Sequence, residues 1–298
     1  MSEIYYIIYN PYANRGGAVR YLDAFVALLQ CHGAAYVVHE TNAPGHATDI
    51  ARRLIADGAK YIIAMGGDGT VHEVVNGYAE GDDVVFGVLP AGTGNDVAAM
   101  LGIPPGLEDI EAAARGILQR RIRHVDYIKS AQGAQTVLFF SYGIAAQMIL
   151  DMRRLKKKTK LSYYRALLYR VFTFKASEYE VSYNGTTRRF KADFCGMHNC
   201  IHAGGGMTLI KHAVMDDGFA ELFMVENRGL WRRILNFIAI LRKKIHTQPN
   251  VQIKRVTDVV IKSPHDSLCC SDGEIYELDE LVLNLRPKGI RFFHEAGE

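Results

Sequence analysis

Along the first third of the chain, short apolar runs alternate with stretches whose apolar residues recur every three or four positions. The run 4–9 is β-branched and aromatic and stops at the turn pair Asn10-Pro11, which predicts a strand. Over 16–30, Val19, Leu22, Phe25, Val26 and Leu29 fall at helical spacing. The same reading predicts a strand over 36–39, a helix over 47–56 and a strand over 61–65 that stops at Gly66-Gly67. A helix over 70–78 and a strand over 84–89, ended by Pro90, follow. Strand and helix in strict alternation predict an α/β domain, a parallel sheet with helices on both faces.

Beyond about residue 123 the pattern changes. Strands are predicted over 137–142, 179–183, 190–195, 221–225, 256–261 and 281–285, with helical insertions near 160–174 and 230–245. Asn184-Gly185, between two of these strands, is a strong hairpin signal. This half reads as a β-rich domain with helical insertions. The length of 298 residues suits about two domains.

Composition narrows the class. Hydrophobic residues are 49% and charged residues 22%, the balance of a folded globular chain and not of a disordered one. The longest apolar run, 234–241, is too short to cross a bilayer and contains Asn236. The first residues, Met1-Ser2-Glu3-Ile4, lack the basic lead of a secretory signal. With five sparse cysteines, the expectation is a cytoplasmic protein with reduced thiols. Net charge is only +3, and no nucleic-acid motif accompanies it, so nucleic acid is not expected as a partner. Cys195, His198, Cys200 and His202 alternate within eight residues, a spacing that suits a buried strand better than the two separated ligand pairs of a zinc site.

The chemistry concentrates in three glycine-rich loops at the carboxyl ends of the predicted parallel strands, where open α/β sheets bind ligands. These are Asn10-Pro11-Tyr12-Ala13-Asn14-Arg15-Gly16-Gly17, Gly66-Gly67-Asp68-Gly69-Thr70 and Pro90-Ala91-Gly92-Thr93-Gly94-Asn95-Asp96. Without a Cβ, such loops bring backbone N–H groups close to phosphate oxygens, and a helix starting near Thr70 aims its positive end at the same place. Asp68 would repel a bare phosphate but suits one that carries magnesium. Tight turns with an incidental acid are the plainer alternative. The Walker phosphate loop, the dinucleotide fingerprint and the protein-kinase signatures are absent.

Gly66-Gly67-Asp68-Gly69-Thr70 followed by Glu73 and Asn76-Gly77 resembles the nucleotide loop of the diacylglycerol kinase catalytic-domain family, the lipid kinases related to sphingosine and ceramide kinases. Asn10-Pro11 and Gly92-Thr93-Gly94-Asn95-Asp96 match that family's other loops. Gly204-Gly205-Gly206, Met215-Asp216-Asp217-Gly218 and Ser271-Asp272-Gly273-Glu274 match in the second half. The resemblance implies a nucleotide-binding α/β domain over 1–123 and a β-rich, sandwich-like lipid-substrate domain over 124–285. It also implies ATP in the cleft between them and a segment, 286–298, that packs back on the first domain.

Carried over by position, the resemblance implies that Asn10, Pro11, Tyr12, Ala13, Asn14 and Thr41 line the nucleotide. The same holds for Gly66, Gly67, Asp68, Gly69, Thr70, Val71, His72 and Glu73, and for Gly92, Thr93, Asn95 and Asp96. It implies a magnesium ion held by the Asp217 carboxylate with the carbonyls of Val214 and Phe219, and Glu274 as general base beside the catalytic Asp68. Tyr12-Ala13-Asn14 and Lys211 depart from the usual family residues. Read without the family, Glu274 is equally a solvated hairpin acid and Asp217 a common turn residue.

The function so implied is ATP- and magnesium-dependent phosphorylation of diacylglycerol or a similar lipid alcohol, giving phosphatidic acid or its equivalent. The alternatives are an NAD kinase-like phosphotransferase and an inactive membrane-docking module. A lipid substrate requires a membrane surface, and two basic segments are candidates for contact with anionic lipid at the inner face of the cell membrane. Arg153-Arg154-Leu155-Lys156-Lys157-Lys158-Thr159-Lys160 precedes a helix rich in aromatics, and Leu230 to Ile245 carries an apolar stripe flanked by Arg232, Arg233, Lys243 and Lys244. Apolar stripes also face their own core, so that alternative stands beside the first. A homodimer is compatible with the sequence.

Overall fold

The N-terminal apolar run forms strand β1 (Ile4–Tyr9) in the computed structural model, which describes residues 4–155, 159–263 and 267–295. In chain order there follow α1 (Ala18–Cys31), β2 (Ala35–Glu40), α2 (His46–Ala56), β3 (Tyr61–Gly66), α3 (Asp68–Val75), β4 (Val85–Pro90), α4 (Asp96–Met100) and α5 (Ile110–Leu118). Strand β1 pairs in parallel with β2 on one side and β3 on the other, and β3 pairs in parallel with β4. Every residue of β3 and β4 is buried, which is why their sequences are unbroken apolar runs. At the edge, β2 leaves Val37 and Val38 exposed. Helix α1 packs with α5, and α2 with α3, as two helical pairs against the sheet. These elements form one unit, Met1–Val125, which Lys288–Glu298 joins.

The second unit, Asp126–Pro287, is mostly antiparallel strand. Its elements are β5 (Ile122–Ser130, entering from the first unit), β6 (Gln135–Thr136), β7 (Phe139–Gly143), α6 (Ile144–Arg153), α7 (Lys160–Thr173), β8 (Ser177–Tyr183) and β9 (Thr186–His198). Then come β10 (His202–Ala203), β11 (Met207–Thr208), β12 (Ala220–Glu226), α8 (Leu230–Leu241), β13 (Val251–Val256), β14 (Asp258–Lys262), β15 (Leu268–Ser271), β16 (Glu274–Glu277) and β17 (Glu280–Phe293). The strands run β16-β15-β7-β9-β8-β14-β17, and β12 joins β9 to β13. Tyr142, Tyr179, Leu222, Val259 and Leu283 are among the side chains of the sheet core. A smaller core unites α6 and α7 through Met148, Met152, Leu167 and Met207. The last residues of β17 run parallel to β4 in the first unit, with Phe292 opposite Phe86.

Several boundaries differ from the sequence reading for local reasons. Helix α3 begins at Asp68, two residues before the predicted start, so Gly66 ends β3 and Gly67 caps the helix. The predicted strand 137–142 begins two residues later, as β7, because the Leu138 amide bonds to the Thr136 hydroxyl (2.9 Å) instead of extending the ladder. The predicted 256–261 strand breaks at Thr257, separating β13 from β14. Asn184 and Gly185 both take positive φ (47° and 72°), as the two-residue hairpin between β8 and β9 requires.

Candidate active site

In the first unit, the three glycine-rich segments meet at the carboxyl ends of β1, β3 and β4. The Asn10 amide bonds to the Met65 carbonyl (3.1 Å), and Asn10 Nδ2 donates to Thr70 Oγ1 (3.2 Å). Asn10 Oδ1 accepts from the Tyr12 amide (3.0 Å), folding 10–13 into a turn that leaves the Tyr12 ring in solvent. Ala13 begins a single 3₁₀ turn, and Asn14 has positive φ (48°). Thr41 is buried, and its amide continues the β1 ladder to the Tyr9 carbonyl (2.9 Å). Pro11 lies within the same turn.

The second and third loops are packed backbone to backbone. A Cβ on Gly92 would lie 2.3 Å from the Gly67 Cα, and one on Gly66 would lie 2.3 Å from Thr70 Oγ1. Packing inside the protein therefore accounts for these two glycines. Gly69, in the first turn of α3, is different: a Cβ there meets nothing within 4 Å. The first N–H groups of a helix have no partner within it, and they end here at an open face. The Asp68 carboxylate accepts from the Val97 amide (3.1 Å) and so caps the short helix α4. Asn95 exchanges hydrogen bonds with the Gly92 backbone (2.9 and 3.1 Å), while Thr93 lies half-buried between them and Asp96 is buried.

Three of the predicted nucleotide residues have structural tasks. Val71 and His72 are buried along α3, and the Val71 amide is bonded to the Gly67 carbonyl. Glu73 Oε2 accepts from the Ala47 amide (3.1 Å) in the first turn of α2, and the Glu73 carbonyl accepts from the Thr48 hydroxyl (2.7 Å). Its charge suits the positive end of α2.

In the second unit, the hairpin of β15 and β16 turns on Asp272 and Gly273, both at positive φ. Asp272 is buried: Oδ2 accepts from the Thr136 hydroxyl and Oδ1 from the Phe139 amide. These bonds fix the hairpin and place Glu274 at its edge, half-exposed. Glu274 Oε2 is paired with Arg153 Nη2 at 2.6 Å, and the same nitrogen reaches the Gly273 carbonyl (3.3 Å). The sequence reading places Arg153 in a basic segment that is a candidate for membrane contact; its pairing with Glu274 is visible only in the fold.

Behind that hairpin lies an apolar cavity of about 860 Å³, counted with its open mouth. Its wall includes Ile144 and Met148 of α6, Leu167 of α7, Phe194 of β9, Phe237 of α8 and Cys270 of β15. Its lining, apolar almost throughout, suits an apolar ligand. Cys270 stands four residues before Glu274, and α6 carries Arg153, so the wall and the carboxylate share their supports. Gly204, Gly205 and Gly206, all at positive φ, form the loop on which the Tyr163 ring of α7 rests. Asp193, Arg233 and Asn236 are the charged and amide side chains of the wall, and Asp193 Oδ1 accepts from Asn227 Nδ2 and Arg233 Nε (2.8 Å each). Burial pushes its carboxyl up from the usual carboxylate value, and these two donors pull it partly back.

The turn implied to hold magnesium is held in another way. Asp217 Oδ2 pairs with Arg255 Nη2 at 2.6 Å, and Oδ1 accepts from the Phe219 amide (3.1 Å). The Arg255 guanidinium also covers the Phe219 ring at 4.1 Å, and Asp126 Oδ2 receives the Gly218 amide (2.7 Å). A cation thus neutralises this carboxylate, and an ion bound by Asp217 with the carbonyls of Val214 and Phe219 would take the place of Arg255 in this part-exposed pair. Among the described residues, no group of three or more His, Cys, Asp or Glu is arranged around a common point. Cys195 and His198 are buried in β9, where His198 Nε2 contacts Ser141 Oγ (3.0 Å) and its ring stacks on Phe139. Burial brings His198 down to about 3, so it remains neutral.

The two candidate membrane segments are partly described. Lys156, Lys157 and Lys158 of the first lie outside the described residues. Helix α7, beyond them, is capped by reciprocal Thr159–Ser162 bonds and exposes Leu161, Leu168, Tyr169 and Phe172. Helix α8 divides its apolar residues: Phe237 and Ile240 face the cavity, whereas Leu230, Trp231, Leu235, Ile238 and Leu241 are exposed. No described helix is long and apolar enough to cross a membrane.

Comparison with known proteins accounts for both units. Residues 5–130 match the diacylglycerol kinase catalytic domain, and residues 140–294 match the YegS C-terminal NAD kinase beta sandwich-like domain. The diacylglycerol kinase of Bacillus subtilis (strain 168) is 30% identical over 228 residues, 75% of this chain and 74% of that protein. The diacylglycerol kinase of Staphylococcus aureus (strain MRSA252) is 29% identical over 277 residues, 90% of this chain and 85% of its own. The crystal structure of a diacylglycerol kinase from Bacillus anthracis str. Sterne superposes with a TM-score of 0.76 at 21% identity, covering 98% of this chain and 97% of that one, which establishes the shared fold. With both domains matched in order and a relative this similar over most of its length, the chain belongs to the diacylglycerol kinase family of lipid kinases.

Proposed function

We propose that the protein transfers the γ-phosphoryl group of ATP to the hydroxyl of diacylglycerol or a similar lipid alcohol, yielding ADP and phosphatidic acid or the corresponding phospholipid. The observation that carries this reading is the apolar cavity whose wall runs into the hairpin bearing Glu274. An NAD kinase has no use for such a cavity, because its acceptor is a polar nucleotide.

ATP enters as its magnesium complex, the metal travelling with the substrate. The backbone around Gly67, Gly69 and the start of α3 receives the phosphates, with Asn10 and Thr93 beside them, and Asp68 faces the metal-bearing phosphate. The lipid's chain occupies the cavity and its hydroxyl reaches Glu274. As the hydroxyl oxygen bonds to the γ-phosphorus and the bond to the β–γ bridging oxygen breaks, Glu274 takes the hydroxyl proton. Arg153 holds the carboxylate in place and contributes positive charge beside it. The exposed apolar faces of α7 and α8, with Arg165, Arg232, Arg242 and Lys243 near them, suit peripheral attachment to the anionic inner face of the membrane.

The test is transfer of labelled phosphate from ATP to a panel of diacylglycerol, monoacylglycerol, sphingoid base, ceramide and NAD. Label in the lipid extract supports the proposal. Label on NAD alone, or on nothing, overturns it.

A further inference from the structure

Glu274 Oε2 and Arg153 Nη2 lie 2.6 Å apart, and both side chains are close to half-exposed (45% and 43%). The pair stands at the end of the cavity wall. Ala145 and Ile149 of α6 line the cavity, and Arg153 follows them at the same four-residue step, so it continues their face of the helix by one more turn. Cys270 of β15, in the hairpin that carries Glu274, lines the cavity as well. A guanidinium has five N–H donors. Nη2 spends its two on Glu274 Oε2 and the Gly273 carbonyl. Among the described residues, Nε and Nη1 of Arg153 and Oε1 of Glu274 have no hydrogen-bond partner.

With a lipid hydroxyl at Glu274, Oε1 is the oxygen left to take its proton. The hydroxyl oxygen bonds to the γ-phosphorus, the bond from that phosphorus to the β–γ bridging oxygen breaks, and the proton passes to Oε1. Glu274 is then neutral. Arg153 therefore loses its counter-charge just as a phosphate monoester, carrying close to two negative charges, forms beside it. A guanidinium fork matches phosphate as it matches carboxylate, taking two oxygens at once. We infer that Arg153 is a phosphate-binding residue of the second unit: it exchanges Glu274 for the phosphate of the newly formed lipid product, through the donors that the carboxylate leaves free. This deepens the lipid kinase reading and rests on it. It makes Glu274 and the product phosphate competitors for one cation.

The probes are a short-chain phosphatidic acid and the matching diacylglycerol, both kept below the concentration at which they aggregate, so that no lipid surface takes part. Binding of each to the whole protein is measured by calorimetry. Arg153→Gln should weaken the phosphatidic acid by about ten- to a hundredfold, the range of a hydrogen bond to a charged group, and leave the diacylglycerol unchanged. Glu274→Gln should tighten the phosphatidic acid, because the carboxylate no longer repels it or competes for Arg153, and the double variant should lose that gain. Arg153→Lys, which keeps the charge but not the fork, carries the same comparison with a smaller loss should the glutamine variant not fold. Phosphatidic acid bound by Arg153→Gln as by the natural protein, or both lipids weakened equally, overturns the inference. So does a gain in Glu274→Gln that survives the loss of Arg153. The expected binding pattern without transfer of phosphate from ATP to lipid would keep Arg153 as a phosphate receptor and refute the kinase reading. Transfer to diacylglycerol with product binding indifferent to Arg153 would refute this inference alone.

Discussion

Gly69→Ala separates what the glycines of the first unit do for the fold from what they do for a nucleotide. A methyl group at this position meets no protein atom within 4 Å, and the backbone there is ordinary helix. Alanine loses less conformational freedom than glycine and gains up to about 1 kcal/mol in a helix interior, less in a first turn. At roughly 2–4 °C per kcal/mol for a domain of this size, the variant should melt at the same temperature or slightly higher. Gly66→Ala is the matched control. Its methyl would lie 2.3 Å from Thr70 Oγ1 and 2.6 Å from Thr70 Cβ, in a buried position where Thr70 also accepts from Asn10. Overpacking of this kind costs about 1–3 kcal/mol, so melting should fall by several degrees. The activities should run the other way for Gly69. If the γ- and β-phosphates lie against its backbone, the methyl occupies their space, and a displacement of about 1 Å costs on the order of 10²-fold in rate. Thermal melts together with kcat/KM for ATP decide the matter. A Gly69→Ala protein that is stable and fully active would refute phosphate binding at the start of α3.

Other expectations follow from the second unit. Glu274→Gln should keep the fold, since the carboxylate is half-exposed and is paired, among the described residues, with Arg153, while transfer to lipid falls by about 10²- to 10⁴-fold; single-turnover rates with more than a tenth of natural activity would remove the general-base role. Glu221, buried near Asp217 with one oxygen unpartnered, is raised from 4.5 to about 7, chiefly by burial and then by Asp217. Because its folded value is raised, the unfolded chain releases the proton first, so stability is lost as pH climbs from about 4.5 to 7, by roughly 3 kcal/mol in all. Glu221→Gln should flatten that slope in melts recorded across the range and raise the melting temperature above neutrality; an unchanged slope would show that Glu221 is ionised throughout. Trp231→Ser, at a side chain 80% exposed on α8, should weaken binding to anionic vesicles in sedimentation assays while leaving melting unaltered, and added salt should weaken binding of the natural protein; binding indifferent to both would place the membrane contact elsewhere.

How legible each part was in the sequence follows from the range of the interactions involved. The strands of the first unit could be read directly because β3 and β4 are buried on both faces and their apolar runs are unbroken. Asn184-Gly185 announced its hairpin because few other residue pairs adopt two positive φ values in succession. Helix α4 could not be read, since five residues show no period, and its start depends on Asp68, 28 residues before it in the chain. Helix α6 has apolar residues on most sides because it lies between the sheet and α7, so its spacing is blurred. At the candidate site, the glycine loops marked the candidate phosphate-binding face but not which glycines answer to packing and which to open space. Arg153 with Glu274, and Arg255 with Asp217, are pairs separated by 121 and 38 residues. No local pattern marks such a pairing. Asn236 interrupts an apolar helix in the sequence, and only the fold places it on the cavity wall.

The central claim is that a lipid alcohol lies in the cavity of the second unit with its hydroxyl at Glu274, while the glycine-lined start of α3 holds ATP. A crystal structure of the Glu274→Gln protein with ATP, magnesium and a short-chain diacylglycerol tests it most directly. The account predicts acyl density against Met148, Leu167 and Phe237, the free hydroxyl within hydrogen-bonding distance of residue 274, and the phosphates on the Gly69 backbone. Lipid density elsewhere with the cavity empty, or phosphates away from Gly69, would contradict it.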